Sequence, residues 1–93
     1  MKMLYKFGKK YTFEGVEYEQ LEFELDNLTG ADFAAAKKEF AGGGNFAAVP
    51  SADSEFCAVL LARVCKLPRE FFAQMPVNDY CKITQMVSNF LLA

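Results

Sequence analysis

The chain has 93 residues, 53% of them hydrophobic and 15% aromatic, with 10 Phe, no Trp and no His. Its net charge of −2 and pI of about 5.0 argue against a nucleic-acid binder, which presents a basic stripe to phosphates. The length suits one domain over residues 1–93 with a modest core, and so large an apolar fraction leaves surface for a partner or for a homo-oligomer.

From the amino terminus, Lys2, Lys6, Lys9 and Lys10 read as a solvated basic flank ahead of the first strand. Tyr11 to Tyr18 alternates β-formers around Glu14-Gly15, and glycine supplies the positive φ of a tight turn. An antiparallel hairpin over about Lys10 to Leu25 is predicted. Val16 and Tyr18 share one face, whereas Leu21, Phe23 and Leu25 have the opposite parity, which predicts a β-bulge near Glu19-Gln20. Glu17, Glu19, Glu22 and Glu24 form an acidic outer edge. Alternation with apolar residues explains them as a solvent face, since neighbouring carboxylates on one strand splay apart rather than converge on a cation.

Thr29-Gly30-Ala31-Asp32 fits a capping box and opens a helix over about 31–41, with Phe33 and Phe40 at helical spacing. Gly42-Gly43-Gly44 ends it through a left-handed cap. No Lys-Ser/Thr pair follows, so the glycines read as a flexible joint and not a phosphate loop. Phe46 to Pro50 carries apolar side chains without evident regular structure, and either packs over the core or stays mobile until something binds.

Ser51, Asp53 or Ser54 caps the next helix, about 53–66, which is apolar almost all round. Pro68 and Pro76 each stop one helix and start another, near 68–74 and 77–92. On the last, Tyr80, Ile83, Val87, Phe90 and Leu91 form the apolar stripe, opposite Lys82, Gln85 and Asn89. The predicted fold is α+β, an N-terminal antiparallel hairpin packed beside three to four short helices. Its core holds Phe23, Leu25, Phe33, Phe56, Val59, Leu60, Val64, Ile83, Val87 and Phe90.

Catalytic chemistry is hard to write from these residues. There is no His, and no hydroxyl lies in a pattern that would activate it for attack. Cys57, Cys65 and Cys81 lack metal-ligand or C-x-x-C spacing, and two cysteines eight apart on a helix, about 12 Å, cannot bridge. They read as buried, reduced thiols of a cytoplasmic protein. The amino terminus is too often charged for a signal peptide, and no stretch approaches the ~20 apolar residues of a membrane span. No catalytic, cofactor-binding or metal residue is assigned. Binding is the expected work, and Phe71, Phe72 and Met75 are the candidate partner contacts: a short turn between prolines buries large side chains poorly, and Met adapts to varied partners.

Taken together, Tyr11 to Tyr18, Leu28 to Phe33, Ala58 to Ala62, Leu67 to Phe72, Met75 to Tyr80 and Val87 to Leu91 resemble, in order and spacing, the small tail assembly chaperones of Mu-like and related tailed bacteriophages and prophages. The resemblance departs at Phe46 to Pro50 and in the charged amino terminus. It implies a non-catalytic protein of the bacterial host cytoplasm, without cofactor, that keeps the tape measure protein soluble during tail-tube assembly and is absent from the mature virion. It also implies a longer form made by ribosomal frameshifting, whose extra segment recruits the tail tube protein. The alternative that the residues leave open is a small homodimeric helical regulator or adaptor.

Overall fold

The computed structural model describes residues 2–44 and 49–93. Its elements are β1 (Lys2–Phe13), β2 (Val16–Glu24), α1 (Gly30–Gly42), α2 (Ser54–Cys65), α3 (Arg69–Ala73) and α4 (Val77–Leu92), with a 3-10 turn at Pro50–Ala52 before α2. This is the expected α+β fold, an antiparallel hairpin followed by four short helices.

The hairpin is longer than its sequence signature. β1 begins at Lys2, so the lysines thought to precede the sheet belong to it. Tyr5, Phe7, Tyr11 and Phe13 point to the core, and the lysines between them are exposed. Lys10 reaches Glu17 at 3.9 Å and Glu19 at 3.7 Å, and Lys2 reaches Glu22 at 3.8 Å. Such exposed pairs contribute little stability, but they explain why an acidic strand can lie beside a basic one. At the turn, Glu14 (φ 49°) and Gly15 (φ 80°) are both left-handed, as a two-residue turn matching the strand twist requires.

The predicted irregularity occurs at Glu19-Gln20, but the extra residues are on the opposite strand. Lys6 pairs with Gln20 and Tyr11 with Tyr18, so five steps along β1 face two along β2. An odd surplus forces one strand to change face. β1 keeps Tyr5, Phe7, Tyr11 and Phe13 inward on both sides of the irregularity, and β2 therefore switches from Tyr18 to Leu21 and Phe23.

Each helix starts on a definable signal. The Thr29 hydroxyl accepts the Asp32 N–H at 3.3 Å, and the Asp32 carboxylate accepts the Thr29 N–H at 2.8 Å, completing the capping box. The left-handed residue after α1 is Gly44 (φ 83°), one past the cap residue Gly43. Of the apolar stretch from Phe46 to Pro50, residues 46–48 lie outside the described residues, whereas Val49 is exposed and Pro50 starts the 3-10 turn. Of the three capping candidates Asp53 does the work, accepting the Phe56 N–H at 3.1 Å. Lys66, in the left-handed region at φ 56°, closes α2, and Pro68 and Pro76 stand immediately before α3 and α4.

α2 is the central post, packed against α1, α3, α4 and β2. Phe56 meets Phe33 at a tilt and Phe40 edge to face on α1, ring centroids 5.0 and 5.8 Å away. Of the expected core, Phe23, Leu25, Phe56, Val59, Leu60, Ile83 and Val87 are buried, and Phe33 and Val64 are half-buried. Phe90 is a correction, being exposed. The inward face of α4 is Asp79, Ile83, Thr84, Val87 and Ser88. Thr84 enters it because its hydroxyl donates to the Tyr80 carbonyl at 2.7 Å, which removes the cost of burying an unpaired polar group. The cysteines also need correcting: Cys57 is buried, Cys65 half-buried and Cys81 exposed. Burial pushes the Cys57 thiol up to about 11, with Asp53 adding to it, and burial alone does the same to Cys65.

Candidate partner-binding groove

Phe71, Phe72 and Met75 are all buried. The expectation that a short helix between prolines would leave them outside is therefore corrected. α3 is wedged between the hairpin and the other helices, and its neighbours supply the cover its length cannot.

The two phenylalanine rings touch each other edge to face, with centroids 5.1 Å apart, but otherwise meet different neighbours. Phe71 enters an aromatic cluster on the hairpin, with ring centroids 5.1 Å from Tyr11, 5.3 Å from Phe13 and 4.9 Å from Tyr18, all edge to face. Such pairs add to area burial. Its main chain is held there as well, since the Tyr11 hydroxyl donates to the Phe71 carbonyl at 2.6 Å. Burial, reinforced by Tyr18, raises the Tyr11 phenol, which stays a neutral donor.

Phe72 faces the other helices. With Val59 and Met75 it lies along a groove of about 470 Å³ between the first turns of α2 and α4 and the outer side of α3. Ala58, Ala73 and Val77 also line it, with Tyr80 and the charged Glu55 and Arg69. Neither charge makes an ion pair among the described residues. Burial, and then the charge of Glu55, raise the Tyr80 phenol, so this lining residue is a neutral hydrogen-bonding group. An apolar trough with a polar tip and one charge of each sign suits the apolar stripe of an amphipathic helix.

Phe72 and Met75, singled out from the sequence, line this groove, whereas the residues that leave it open were not singled out. Alanines at 58 and 73 and the exposed Val77 carry the available signal, small side chains on neighbouring helices where close packing would need large ones.

Among the described residues no group of three or more His, Cys, Asp or Glu could hold a metal ion, and no helix is long and apolar enough to cross a membrane. Neither the curated proteins nor the solved structures gave a match to the chain. A protein family does match, described as phage tail assembly chaperone proteins, E, or 41 or 14, over residues 5–92. That span takes in the hairpin from Tyr5 onward, the helices and every residue lining the groove. The chain therefore belongs to the phage tail assembly chaperone family, whose work is assembly and not catalysis.

Proposed function

We propose that the protein binds and solubilises the tape measure protein while the tail tube is assembled, acting as one domain in the host cytoplasm and leaving before the tail is complete. The observation that carries this reading is the groove beside α3, an apolar trough in a member of an assembly chaperone family. A long helical client with an exposed apolar stripe aggregates until something covers it, and helix-in-groove packing covers it without chemistry. On this reading Phe72 and Met75 meet the client from the groove floor, and Phe71 supports them from behind. The acidic balance of the chain keeps the loaded chaperone soluble. A longer, frameshifted form would bring the tail tube protein to the same complex.

The test is copurification of the full chain with the tape measure protein encoded beside it, comparing wild type with Ala73→Arg. Ala73 is exposed on the groove rim, so an arginine there fills the trough without entering the core. Wild type should retain the client and keep it in the supernatant, and Ala73→Arg should lose it. A variant that binds as well as wild type would exclude the groove.

A further inference from the structure

Two of the three helices that line the groove, α3 and α4, are each tied to the hairpin by a tyrosine hydroxyl. Tyr5 donates to the carboxylate of Asp79 at 2.5 Å, and Tyr11 donates to the carbonyl of Phe71 at 2.6 Å. Asp79 is in the first turn of α4, between the groove residues Val77 and Tyr80. Phe71 precedes Phe72 of the groove floor. The two tyrosines therefore hold, from behind, two of the three helices that line the trough.

Where these residues fall on β1 is informative. Tyr5 and Tyr11 flank the stretch at which pairing with β2 shifts register, between Lys6 and Tyr11. Within that stretch the Gly8 N–H turns to the same Asp79 oxygen, at 3.2 Å. Asp79 is buried, and a buried carboxylate is costly unless donors meet it. The irregular stretch supplies one such donor and Tyr5 another. At the other tie, the last carbonyls of a helix lack intrahelical partners, which leaves the Phe71 carbonyl in five-residue α3 available to Tyr11. The hairpin thus has a use beyond covering the core. A site holds its geometry only when a second layer of contacts fixes the elements that carry it.

We propose that Tyr5 and Tyr11 are positioning residues for the groove: through Asp79 and the Phe71 carbonyl, the irregular segment of β1 sets the spacing of α3 and α4. The inference rests on the groove being the client site, but it is tested without any client. Methyl and amide spectra of the full chain are compared for wild type, Tyr5→Phe, Tyr11→Phe and the double variant, each of which keeps its ring and its packing. Tyr5→Phe should displace the Val77 methyl signals, and Tyr11→Phe those of Ala73 and Met75, by more than a linewidth. The double variant should move all of them further. Asp79→Asn keeps an acceptor oxygen and should leave the Gly8 amide near its wild-type position, whereas Asp79→Ala should move it. Hydroxyls that merely stabilise the fold would lower the unfolding midpoint and leave the native groove signals in place, and that result overturns the proposal. If Asp79→Ala fails to fold, the tyrosine variants decide the matter alone. Failure of wild type to bind the tape measure protein would instead count against the functional reading and leave these shifts unaffected.

Discussion

Two parts of one core meet at α3, where the Phe71 and Phe72 rings touch, and they differ in how they are closed. On the hairpin side Phe71 is boxed by Tyr11, Phe13 and Tyr18. On the helical side Phe72, the very next residue, is equally buried yet borders an open trough edged by alanines. Large aromatics meeting edge to face leave no room for a ligand, whereas small residues beside a large one leave a cleft. Burial therefore does not separate the structural phenylalanine from the one proposed to meet a partner. What separates them is the size of the side chains that complete each part.

The comparison predicts a graded series. Phe71→Ala should be the most damaging, about 3–5 kcal/mol in chemical denaturation, because the ring's removal leaves a closed cavity among rigid aromatics. Phe72→Ala should cost less, about 3 kcal/mol at most, since the vacated volume opens into a trough that solvent already reaches. Equal losses would show that the trough closes over in solution. Removing the α1 cap with Thr29→Ala, a residue that lines neither the groove nor the Phe71 cluster, should cost about 1 kcal/mol by the same assay and leave client binding unchanged. The smallest effect on stability belongs to Ala73→Arg, within about 0.5 kcal/mol, as expected of an exposed site. That variant should nevertheless show the largest loss of binding. A stability cost as large as that of Phe71→Ala would mean that the rim is part of the core.

How far the sequence discloses this contrast follows from what periodicity measures. The helices and their starts were legible because Thr29, Asp53, Pro68 and Pro76 act within a few residues of themselves. The amino-terminal half of β1 was not. Its lysines read as a flank, and only the pairing with β2 reveals Tyr5, Phe7, Tyr11 and Phe13 as one inward row. The β2 parity change correctly located the irregularity, but which strand held the extra residues depends on the partner strand and not on the pattern of either. Phe90 was misplaced because hydropathy cannot foresee that Thr84 satisfies its own hydroxyl within the helix and takes an inward position. Phe72 and Met75 were chosen for a reason the fold overturns, as both are buried. The same two residues still line the groove, because a short helix wedged between larger elements has one side to give to each. Asp79 escaped notice entirely: its donors, Tyr5 and Gly8, are 74 and 71 residues away in the chain.

The central claim is that the open side of α3, and not the rest of the surface, meets the client. Site-specific photocrosslinking in cells making both the full chain and its tape measure protein tests it most directly. A photoreactive residue at Ala73, on the groove rim, is compared with one at Lys82, exposed on α4 and absent from the groove lining. The account predicts a crosslink to the tape measure protein from position 73 and none from position 82. Crosslinking from position 82 with none from position 73 would contradict it and place the client on another face.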